Sequence, residues 1–101
     1  MDNTLYALSF TSEQSDLSVR ALNFIHGVEK YADERPKIDK VIELVRDTQG
    51  PVSLTHSQIY ILDVAYLALQ GEIEELAGWK ASADLRRQFD ELHTLIDAPF
   101  N

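Results

Sequence analysis

The chain has 101 residues, 45% of them hydrophobic, a formal net charge of −8 and no cysteine. That length suits one domain around a single core, and apolar residues spread from Leu5 to Phe100 argue against disorder. The absence of cysteine excludes a disulfide scaffold, a zinc ribbon, an iron–sulfur site and a cysteine nucleophile.

The charge is unevenly placed. No Lys or Arg precedes Arg20, and none lies between Arg46 and Lys80, where Asp47, Asp63, Glu72, Glu74 and Glu75 fall. Such a surface repels nucleic acid and anionic lipid and favours a basic partner. It also serves plain solubility. Met1 to Thr4 carries no basic or long apolar stretch, so no secretory signal is expected. The most apolar run, Ile59 to Leu69, is broken by Asp63 and is too short to span a bilayer. A cytoplasmic setting is the expectation.

Taken in chain order, residues 1–11 form a lead-in in which Leu5, Tyr6, Leu8 and Phe10 nearly alternate with small and polar residues. That pattern fits a short strand or an extended arm. With no evident pairing partner, the arm is expected. A first helix over 12–33 follows, with a capping-box pair at Thr11 and Gln14. Its stripe is Leu17, Ala21, Phe24, Ile25, Val28, Tyr31 and Ala32. Gly27 lies inside it, and Pro36 disfavours a helical Arg35.

Pro36 suits the first turn of a second helix over 36–49, with Ile38, Val41, Ile42 and Val45 on its apolar face and Gly50-Pro51 as a stop. The third helix, 56–77, has the clearest start. Thr55 and Gln58 form a capping box, and Leu54 can staple to Ile59. Ile59, Leu62, Tyr66, Leu69, Ile73 and Leu76 then alternate spacings of three and four, a heptad seam. A second apolar set, with Ile61, Val64, Ala65, Leu67 and Ala68, predicts that the first half of this helix is central. The second half, with Glu72, Glu74 and Glu75, should emerge into solvent. Gly78, Trp79 and Lys80 read as a turn, and Ser82 caps a fourth helix over 83–97 with Leu85, Phe89, Leu92 and Ile96 on its buried stripe. The expected fold is all-α: a compact four-helix bundle-like single domain with a long central third helix and an extended N-terminal arm. Either the other helices wrap the seam, or part of it forms a homodimer interface.

No catalytic motif is found, and no metal or cofactor is expected. The histidines are His26, His56 and His93. A di-iron bundle needs Glu-x-x-His from two helices, and only Asp90 with His93 approaches that spacing. Glu72, Glu74 and Glu75 resemble the acidic helix of all-α nucleotide pyrophosphohydrolases, which hold magnesium with clustered carboxylates. That resemblance implies a second acidic pair on a neighbouring helix. Asp90 and Glu91 are adjacent and point to different faces. There is no Gly-x-Ser-x-Gly and no glycine-rich phosphate loop. The basic pair Arg86-Arg87 is too slight for a DNA-recognition helix and is expected to pair with Asp90 and Glu91.

Exposed aromatics are the better signal, since Trp, Tyr and Phe anchor interfaces. The sequence therefore reads as a non-catalytic protein-binding regulator or inhibitor that occludes a basic partner. The expected contacts are Tyr66, Leu69, Ile73 and Trp79, rimmed by Glu72, Glu74 and Glu75. In size and charge it fits bacterial anti-activators and phage-encoded inhibitors of host systems, anti-CRISPR proteins included. The alternatives are a small metal-dependent nucleotide hydrolase and a structural dimerising subunit.

Overall fold

The computed structural model describes residues 4–77 and 83–100. Among these residues there are two short strands, four α-helices and two 3₁₀ segments: β1 Leu5–Leu8, α1 Ser12–His26, 3₁₀ Glu29–Glu34, α2 Arg35–Asp47, β2 Val52–Thr55, α3 His56–Ala77, α4 Ala83–Asp97 and 3₁₀ Ala98–Phe100.

The lead-in is a strand. β1 pairs antiparallel with β2, Tyr6 opposite Leu54 and Leu8 opposite Val52. These four residues share the inner face, where Leu8, Val52 and Leu54 are buried and Tyr6 packs against the core. Leu5, opposite Thr55, faces out. The expected arm thus gives way to a two-stranded ribbon whose register places apolar side chains on one face. Gly50, at φ +83°, makes the turn from α2 into β2, a left-handed conformation in which a side chain is strained.

Reciprocal capping boxes start two helices. Thr11 Oγ1 accepts from the Gln14 N–H, and Gln14 Oε1 accepts from the Thr11 N–H. The same pair of bonds joins Thr55 and Gln58 at α3. Leu54 and Ile59, the expected staple pair, are both buried.

The first helix is shorter than its stripe predicts. Gly27 closes α1, its N–H directed at the Phe24 and Ile25 carbonyls, and Val28 is extended. Arg35 Nε donates to the His26 carbonyl, so a side chain satisfies a C-terminal carbonyl that another helical turn would have used. The 3₁₀ segment runs directly into α2, and Arg35 is helical with Pro36 beside it in the first turn. The steric bias that proline places on its predecessor is outweighed by this continuous entry. α2 ends at Asp47, two residues before the expected boundary.

α1 and α3 pack on each other; α2 and α4 each contact both. One buried cluster joins Leu22 and Ile25 of α1, Ile38 and Val41 of α2, Leu62 and Ala65 of α3, and Leu92 and Ile96 of α4. α3 and α4 have the expected bounds. The expected Ser82 cap and the Gly78–Lys80 turn lie outside the described residues. No described helix is long and apolar enough to cross a membrane.

Candidate functional site

The seam of α3 is used to build the fold. Ile59 and Leu62 are buried, Tyr66 and Leu69 are 4% and 5% exposed, and Ile73 packs partly buried against the same cluster. Two of the expected contact residues, Tyr66 and Leu69, therefore face α3's neighbours, and Ile73 does so in part. Leu76, past the end of that packing, is 79% exposed. Glu72 is half-buried, whereas Glu74 and Glu75 are exposed, with Glu74 accepting a long bond from Gln70 Nε2 at 3.5 Å. Trp79 lies outside the described residues.

What α3 presents outward is a different row. Tyr60 is 65% and Leu67 51% exposed, Val64 is half-buried between them, and Gly71 is exposed. Spacings of four, three and four put these residues on one helix face. A Cβ at Gly71 would meet nothing within 4 Å. At the N-terminal end the row borders a groove of about 410 Å³ between α3 and the first 3₁₀ segment, lined by Lys30, Tyr31, Glu34, Lys37, Tyr60 and Val64 among others. Lys37 is engaged there, 2.7 Å from Ser57 Oγ and 3.3 Å from Glu34. Glu74 and Glu75 flank the C-terminal end.

A second constellation joins α3 to α4. Asp63, His93 and Asp97 bring one ligand atom each to within 4.8 Å of one another, the group of this kind found among the described residues. His93 Nε2 is 2.7 Å from Asp97 Oδ2, one helical turn away, and His93 Nδ1 is hydrogen-bonded to the Tyr66 hydroxyl. The Tyr66 ring packs tilted against the His93 ring, centroids 5.3 Å apart, and against the Phe89 ring at 6.3 Å. Asp63 Oδ1 is buried and has no hydrogen-bond partner. Burial, and secondarily the charge of Asp97, hold the Asp63 carboxyl above its ordinary range, opposed by His93. Burial, then the carboxylates of Asp63, Asp97 and Asp90, push the Tyr66 hydroxyl up to about 12. Beside the cluster a pocket of about 110 Å³ is lined by His56, Ile59, Tyr60, Asp63, Ile96 and Asp97.

Nothing in the sequence gives Asp63, His93 and Asp97 a joint role. Helical spacing offers His93 either Asp90 or Asp97, and the structure pairs it with Asp97. The available signal was Asp63 itself, the one charge within the apolar run Ile59 to Leu69. His26 has a separate partner, Asp39 at 3.0 Å. Arg87 pairs with Glu91 as expected and also with Asp84 and with Glu13 of α1.

Comparison with family models, with curated proteins and with solved structures finds no match.

Proposed function

We propose that this protein is a non-catalytic binding module that regulates or inhibits a partner protein by covering its surface. The outer face of α3 makes the contact. The observation that carries this reading is the row Tyr60, Val64, Leu67 and Gly71, apolar and outward-facing on a helix whose opposite side is already committed to the core. Tyr60 and Leu67 supply anchor area, and Gly71 leaves room for a close backbone approach. The partner is a protein with an apolar centre and a basic rim: Glu74 and Glu75 meet that rim, within a chain of net charge −8. Charge complementarity then acts on encounter rate and partner choice. Inhibition is by occlusion, in the cytoplasm, in the manner of the small bacterial and phage-encoded inhibitors whose size and charge it shares.

Affinity capture from host lysate with the wild-type chain and with Leu67→Asp tests this, with light scattering on both purified proteins. Leu67 is exposed, so the substitution leaves the fold intact by circular dichroism. The expected result is one stoichiometric partner held by the wild type and lost by L67D. Equal capture by both proteins, or capture by neither, overturns the reading. A wild-type dimer that L67D converts to monomer would replace it with self-association.

A further inference from the structure

We infer that Asp63, His93 and Asp97 form a binding site for one first-row divalent transition-metal cation, of the zinc or manganese class, clamping α4 to α3. The inference is independent of the α3 outer-face reading.

The donor set decides the class. One imidazole nitrogen with two carboxylate oxygens suits borderline cations such as Zn²⁺ or Fe²⁺ and the harder Mn²⁺ in a mixed nitrogen–oxygen shell, whereas Ca²⁺ and Mg²⁺ favour all-oxygen shells. The three donor atoms already lie within 4.8 Å of one another. A tetrahedral ion with ligands at about 2.1 Å holds its donors about 3.4 Å apart. His93 and Asp97, now at 2.7 Å, must open slightly to reach that spacing, within side-chain reach.

Two further features point the same way. The Tyr66 hydroxyl sits on His93 Nδ1. With Nδ1–H donating to the Tyr66 oxygen, the Nε2 lone pair is left for the cation, the outer-shell arrangement that orients a ligating histidine. Asp63 Oδ1 is buried with no hydrogen-bond partner, and a cation would satisfy it. Three protein ligands leave a coordination position for water, and the pocket that Asp63 and Asp97 line with His56 and Tyr60 gives that position access from outside.

The test is isothermal titration of tag-free, chelator-treated protein with ZnCl₂ and MnCl₂, with CaCl₂ and MgCl₂ as controls. The expected result is one equivalent of zinc or manganese bound at micromolar Kd or tighter, with a rise in melting temperature. Asp63→Asn and Asp97→Asn, each checked for fold by circular dichroism, should weaken binding at least tenfold. Leu67→Asp should leave it unchanged, which separates this site from the partner surface. Absence of saturable binding, unchanged affinity in both Asn variants, or equal affinity for calcium or magnesium would each overturn the assignment.

Discussion

Asp63 is held at a cost to the metal-free fold. The folded chain binds the proton of this carboxyl more tightly than the unfolded chain does, so ionising it opposes folding above the folded-state value. Below the ordinary carboxylate range the cost vanishes, because both states are then protonated. Asp63→Asn keeps the shape and removes the charge. In the absence of metal the variant should therefore be more stable than the wild type at pH 7, where the wild-type carboxyl must ionise in a buried setting. At pH 3 the difference should disappear. Chemical denaturation at the two pH values checks both. Tyr66 gives the complementary prediction at the alkaline end. Its folded-state value near 12 exceeds the ordinary 10.0, so its stabilising contribution is fully present below pH 10 and is lost as pH rises toward 12. Ultraviolet titration of the folded protein should show one tyrosine ionising late, and Tyr66→Phe should remove that phase.

Among the elements, α3 carries opposing demands. Its inner side needs close packing against α1 and α4, while its outer side keeps Gly71 where no steric reason requires glycine. Gly71→Ala should stabilise the helix by about 1 kcal/mol, the usual difference between these residues within a helix, and weaken partner binding by crowding the outer face. Thermal melts and affinity measurements on one variant would show the two effects with opposite sign. Where local chemistry decided an element, the sequence was readable: Thr55 with Gln58 marked the start of α3, and heptad spacing marked a continuous apolar seam along it. Where a distant partner decided it, the sequence was not. The lead-in alternation was visible at Tyr6 and Leu8, but pairing with Leu54 and Val52 depends on the chain returning. The α1 stripe continues through Val28 and Tyr31, so only the Gly27 closure and the Arg35 bond to His26 show where the helix stops. The candidate sites follow the same division. Helical spacing could place Tyr60, Val64, Leu67 and Gly71 on one face, but not say which side of α3 would be buried. Nothing local could bring Tyr66 to His93, 27 positions away.

At the scale of the whole molecule, structure and charge divide the labour. The buried cluster draws on both strands and all four helices, and Arg87 ties α4 to α1 through Glu13. What is left outward is an acidic surface with an apolar row along α3. If this row is the contact surface, association should slow with ionic strength, since the acidic surrounds steer encounter. The most direct test places a photo-crosslinking amino acid at Leu67, and separately at the exposed Asn23 of α1, in protein expressed in its host. The expected result is one discrete adduct with another protein from position 67 and none from position 23. An adduct of equal yield from both positions, an adduct from position 23 alone, or none from position 67 would contradict it.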